Sequence, residues 1–213
     1  TETAGFTDSE IALMCASHNG EERHVQIAKK MAKKIEMNVS HYECGTHPPY
    51  EIKLQNQRKE NGYTAYHNNC SGKHSGMLAI AKKLGVNTKG YIKPHHPVQK
   101  VILSQLTRLT EKNNISMGID GCSAPTPFFS LLEIAKLFQL LGMNKYSELN
   151  TAYCAMTKHP YLIAGKKRFD TDFIKALKGR GITKVGGEAI RGTVIKTTEY
   201  GIVGIAQKVL DGN

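Results

Sequence analysis

Apolar positions recur at helical spacing through most of the chain, and strict alternation of apolar and polar residues is confined to its end. Thr7-Asp8-Ser9-Glu10 has the Ser/Thr-x-x-Glu spacing of a capping box and opens a short helix predicted over 7–16. A second helix is predicted over 21–35, where Ile27, Met31 and Ile35 share a face and acidic residues at the start give way to lysines at the end. Asn, Gly and Ser break regular structure over 67–76, so the next helix is predicted to begin at Met77 and to stop at Gly85. Pro97 suits the first position of a helix whose apolar stripe is Val98, Val101, Ile102, Leu106 and Leu109. Pro127 does the same for a more completely apolar helix over 128–141, which is expected to form the buried centre. Shorter helices are predicted over 147–157 and 171–177, with Gly142 and Gly179 as stops. The connection over 48–69 is the longest, with a weak strand signal over 63–66. Alternation over 192–198 and 202–209, joined through Glu199-Tyr200-Gly201, reads as a β-hairpin. Helices followed by a terminal hairpin place the chain in the α+β class rather than among βαβ folds.

The 213 residues, 40% of them hydrophobic, are enough for one well-buried core, and no apolar run approaches the roughly 20 residues of a membrane span. One domain over 1–213 and no membrane partner are expected. The net charge of +11 is spread over helix faces without aromatic interleaving or a nucleic-acid reading motif, so it reads as a solvated basic surface or as substrate steering. Five cysteines are odd in number and include no Cys-x-x-Cys pair, and no leader pattern comes before the first helix signal. A reducing, cytoplasmic setting fits that usage.

Chemistry concentrates in His67-Asn68-Asn69-Cys70-Ser71-Gly72-Lys73-His74-Ser75-Gly76-Met77. Buried polar groups each need a partner, so such a run marks a site, here a loop feeding a helix N-terminus. Two further residues stand out. Ser17 caps the helix starting near Glu21 on the bland reading, and in the Ser17-His18-Asn19-Gly20 loop it lies close to a glycine that permits an unusual turn. Lys208 shares a strand face with Gly204 and Ala206, which makes it either a protective edge lysine or an ammonium projecting into a cleft. Asp120, in an Asp-Gly-Cys turn, is the best carboxylate candidate. No two histidines have His-x-x-x-His metal spacing; His18 and His67 are expected near the cleft as hydrogen-bonding groups.

With Gly118-Ile119-Asp120-Gly121-Cys122-Ser123-Ala124-Pro125-Thr126, the polar segment resembles the signature of the rhizobial-type L-asparaginases, the thermolabile asparaginase II. Matching blocks follow in order: Ala12 to Glu21, Glu43 to Pro49, Tyr91 to Gln99, Lys184-Val185-Gly186-Gly187-Glu188 and Gly204 to Lys208. The resemblance implies a serine β-lactamase and glutaminase type of fold and a homodimer. It implies hydrolysis of the side-chain amide of L-asparagine through a serine acyl intermediate, with glutamine as competing substrate. Ser17 and Lys208 then face each other as a catalytic pair, and Asp120, Lys73, His18, Asn69 and Gly121 surround the substrate.

A second Ser-x-x-Lys pair, which in the family holds the nucleophile, occurs nowhere in the sequence. The chain is therefore expected to be the central part of a longer domain, to lack a C-terminal helix as well, and to be inactive or an amino-acid-binding remnant. The resemblance also places zinc on Cys70 and Lys73 with a cysteine after the Val-Gly-x-Glu block, but here that block is followed by Arg191 and Gly192. No cofactor is required on this reading, and zinc, if bound, is expected to be held weakly, with Cys122 left to supply a sulfur.

Overall fold

The computed structural model describes residues 5–48 and 62–212. Their helices are α1 (Asp8–Met14), α2 (Glu22–Lys34), α3 (Ser71–Leu84), α4 (Pro97–Thr110), α5 (Leu131–Gly142), α6 (Ser147–Lys158), α7 (Pro160–Ile163) and α8 (Phe169–Leu177). Strands β1 (Met117–Ile119) and β2 (Pro125–Pro127) form one antiparallel pair, and β3 (Gly181–Val185), β4 (Ile190–Lys196) and β5 (Ile202–Lys208) an antiparallel sheet in that order. The class is α+β. No described helix is long and apolar enough to cross a membrane.

The capping box forms as its spacing demands: the Glu10 N–H donates to the Thr7 hydroxyl, and the Thr7 N–H donates to Glu10 Oε2 at 2.7 Å. Short as it is, α1 occupies the centre. Ala12 and Leu13 are fully buried, and α1 packs against α2, α3, α6 and α7. This displaces the expectation that the helix after Pro127 would be the buried centre. Pro127 ends β2, Ser130 caps α5 through a box with Glu133, and Leu131 and Leu132 stay 45% and 64% exposed. That helix covers the sheet instead.

Two glycines allow that cover. A Cβ at Gly204 would lie 2.0 Å from the Ala135 carbonyl oxygen, and one at Gly192 would lie 1.9 Å from the Phe138 ring. The small residues before Lys208 therefore make room for α5 rather than for a substrate. On the other face of β3, α8 is fastened by Asp170, which accepts the Val185 N–H at 3.2 Å.

The polar segment departs most from its sequence reading. Helix α3 begins at Ser71 rather than Met77, so Lys73, His74 and Ser75 are helical. Its first turn lies directly on the end of α1, and burial of Met77, Leu78 and Ala81 outweighs the weak propensity of Gly and Ser. The signal over 63–66 resolves into a 3₁₀ turn at Ala65–His67, and part of the long connection lies outside the described residues. Strand β3 was not foreseen, because Gly-Ile-Thr-Lys-Val is too short to show alternation; its partner β4 supplies the context.

Candidate functional site

A cavity of about 1260 Å³ opens where the helical body meets the sheet. Ser17 enters from the α1–α2 loop; Asn69, Cys70 and Lys73 from the start of α3; Asp120, Gly121 and Cys122 from the β1–β2 turn; Lys208 from β5. The fold thus gathers seven of the eight residues singled out for the site. The eighth, His18, lies beneath it, fully buried, as His67 is also buried outside the lining. A second, open hollow between α1 and α2 is lined by Thr7 and Ser9, whose hydroxyls are engaged in the cap, and by lysines.

Ser17 is not an N-cap, since α2 is capped by the Glu21 backbone. Its loop is held from both sides: the Ser17 and Asn19 N–H groups donate to the carbonyls of Ile163 and Ala164 at 2.9 and 2.7 Å, and the His18 N–H donates to the Asn69 carbonyl at 3.2 Å. Gly20, at φ 75°, closes the turn and donates its N–H to His18 Nδ1 at 3.0 Å. The ring proton therefore sits on Nε2 and is donated to the Ser71 hydroxyl at 2.9 Å. His18 positions Ser17 and ties its loop to α3; the expected contact with substrate is replaced by this supporting role.

His18 stacks on His24 at 4.7 Å, and His24 on Tyr161 at 5.0 Å. Burial lowers both rings, His24 to about 4 and His18 well below 6.5. In the unfolded chain both bind a proton near 6.5, so between that pH and about 4 the unfolded state binds more protons and stability falls with pH. Above 6.5 neither state is protonated and nothing is lost. The expected slope is up to about 1.4 kcal/mol per pH unit for each ring. Urea midpoints at several pH values should show a shallower acid slope in His24→Gln than in the parent; identical slopes would remove the assignment.

Lys73 Nζ donates to Asp120 Oδ2 at 2.9 Å. Burial opposes both charges. The neighbouring Cys70 and Cys122 sulfurs and Asp120 nevertheless raise Lys73, while Lys73 and the Gly121 N–H hold Asp120 low. The ligating atoms of Cys70, Asp120 and Cys122 all lie within 4.8 Å of one another. The Cys122 thiol donates to Asp120 Oδ2 at 3.5 Å. The adjoining Cys122 sulfur and burial raise Cys70, whereas Cys70, His74, Lys73 and the Ala124 N–H lower Cys122 against its burial. Tyr91, accepting from the Glu43 N–H, donates to His74 Nδ1 at 2.5 Å, so the His74 proton sits on Nε2. That nitrogen has no well-formed hydrogen bond and lends its polarity to Cys122.

One feature of the site matches a sequence expectation and another was missed. Cys122, left to supply a sulfur in place of the segment after Glu188, stands beside Cys70. Arg191 is ion-paired to buried Asp170 and lies over Phe169 at 4.5 Å, outside the cavity lining. The other is Lys184, at the end of β3 on the side of fully buried Ile182. Burial brings it down to about 8, against the pull of Asp170 and Cys70, and its Nζ donates to the Val185 carbonyl at 2.5 Å. Lys208 is exposed, with its Nζ donating to the Val209 carbonyl at 2.7 Å. Cys15 also lines the cavity, but burial raises its thiol to about 11 and keeps it protonated. Alternation around Lys184 would have pointed to it, had β3 been recognised.

No curated protein matches the chain. The family model described as L-asparaginase II matches residues 1–213, the whole length over which the loop serine, the α3 lysine and the β1–β2 carboxylate converge. The chain belongs to the L-asparaginase II family.

Proposed function

We propose that the cavity hydrolyses the side-chain amide of L-asparagine to L-aspartate and ammonia. The observation that carries this reading is the convergence of Ser17 with the Lys73–Asp120 ion pair in one cavity. An α-amino acid presents an ammonium and a carboxylate, so it exchanges one ion pair for two: its ammonium meets Asp120, and its carboxylate meets Lys73 and Arg168, which also lines the cavity. The side-chain amide is thereby directed toward Ser17, whose hydroxyl attacks the carbonyl once an amine takes its proton. Ammonia leaves, and water releases L-aspartate from the serine ester.

The sequence assigned that amine to Lys208. A base must be unprotonated near neutral pH, and burial brings Lys184, one of the three lysines that line the cavity, down to about 8. Lys184 therefore takes the role, and exposed Lys208 stays at the rim.

Cys70, Cys122 and Asp120 suit a thiophilic divalent ion such as zinc, with Lys73 excluded as a ligand while it stays an ammonium on Asp120. When bound, such an ion would polarise a substrate oxygen. Because Cys122 supplies the second sulfur, elemental analysis of protein purified without chelator is expected to find zinc in the parent and none in Cys122→Ala. Equal zinc in both would remove the site.

The finer fold reading, of serine β-lactamase and glutaminase type, is supported by an antiparallel sheet carrying α5 on one face and α8 on the other. A homodimer in the cytoplasm completes the proposal; sedimentation tests the dimer, and five free thiols support a reducing compartment. A second reading, an amino-acid-binding protein without turnover, is favoured by the lack of Ser-x-x-Lys in the sequence. Calorimetry with L-aspartate alongside ammonia release from L-asparagine and L-glutamine separates the two. Binding lost in Asp120→Asn together with turnover in the parent supports hydrolysis; binding without turnover supports the second reading; neither overturns both.

A further inference from the structure

We propose that Cys70 and Cys122 form a reversible disulfide, making this corner of the cavity a thiol–disulfide exchange site for low-molecular-weight disulfides. The inference goes beyond amide hydrolysis and does not depend on it. It rests on the juxtaposition of two sulfurs from distant parts of the chain. Cys70 precedes α3, Cys122 lies in the β1–β2 turn, and their Sγ atoms lie within 4.8 Å of each other. Both residues are buried, yet both line the cavity, so a small reagent reaches them through it.

Either sulfur can open the exchange, since the two stand side by side at the cavity wall. The Cys122 thiol donates to Asp120 Oδ2 at 3.5 Å, and Asp120 is in turn paired with Lys73. The remaining cysteines lack such a partner. Cys44 has its thiol on the Ala65 carbonyl, Cys154 has its thiol on Asn150 in α6, and Cys15 is kept protonated by burial.

The exchange balances in two steps. One of the two cysteines, as its thiolate, attacks one sulfur of a disulfide such as oxidised glutathione, forming a mixed disulfide and releasing one glutathione thiolate. The other cysteine then gives up its proton and attacks the protein sulfur of that mixed disulfide, releasing the second glutathione thiolate. The protein dithiol is oxidised by two electrons and the glutathione disulfide is reduced. The new bond ties the start of α3 to the turn that carries Asp120. It also occupies both sulfurs, so it and a bound metal ion exclude each other.

The test is to expose the whole chain to oxidised glutathione, alkylate it under denaturing conditions and map the peptides by mass. Two of the five thiols are expected to escape alkylation, with a Cys70–Cys122 cross-linked peptide that dithiothreitol reopens. Cys70→Ser and Cys122→Ser should each abolish the cross-linked peptide. Five alkylated thiols after exposure, or a cross-link through any other cysteine, would overturn the proposal. The parent protein alone is enough to distinguish these outcomes, whatever the folding of the variants.

Discussion

Gly72→Ala is expected to lower the thermal midpoint by roughly 5–10 °C, followed by circular dichroism. Alanine is the better helix former, worth about 1 kcal/mol in an isolated helix. Here the added Cβ would lie 2.0 Å from the Leu13 carbonyl oxygen, 2.4 Å from its carbon and 2.9 Å from the Met14 nitrogen. All three are backbone atoms, so no rotamer relieves the contact, and an overpacking cost of about 1–3 kcal/mol or more outweighs the propensity gain. Relief requires α3 to slide off the end of α1, which strains the His18 bonds to Asn69 and Ser71 and moves the Ser17 loop. Gly76→Ala is the control within the same helix: its Cβ would meet only the flexible Met14 side chain, at 3.4 Å, so its midpoint should hold or rise. Equal midpoints for the two variants would refute the close approach as the reason for Gly72.

Ser17→Ala is expected to reduce ammonia release by a factor on the order of 10⁴ to 10⁶, as loss of a nucleophile does. Lys184→Met should reduce it by about 10²–10⁴-fold, the contribution of a positioned base. The parent rate should climb with pH on a limb centred near about 8, because the free amine forms there, and the variant should lose that limb. Lys184→Arg should not restore it, since a guanidinium stays protonated. Lys208→Met should keep most of the rate. The opposite pattern, with Lys208→Met silent and Lys184→Met active, would return the base role to Lys208.

The residues that carry local instructions were legible in the chain. The Thr7–Glu10 box, Pro97 at the start of α4 and the alternation through β4 and β5 each act within a few positions, so their elements formed close to where they were expected. The polar density around Cys70 and Lys73, and the Asp120 turn, also marked the cavity correctly as places rich in unspent polar groups. Elements whose boundaries depend on a distant partner were misread. Helix α3 starts early because α1 covers its glycine, and α5 is half-exposed because a two-glycine sheet face draws it to the surface.

The sequence by itself determined the α+β class, the capped helices, the terminal hairpin and the identity of several polar groups that line the cavity, since each depends on residue type and near-neighbour spacing. Only the tertiary structure decided that Cys122 stands beside Cys70, that Arg191 is spent on Asp170, that His18 supports the serine from below, and that Lys184 is the desolvated lysine. Those outcomes turn on burial and on charges brought together from positions far apart in the chain, and desolvation has no signature in local sequence.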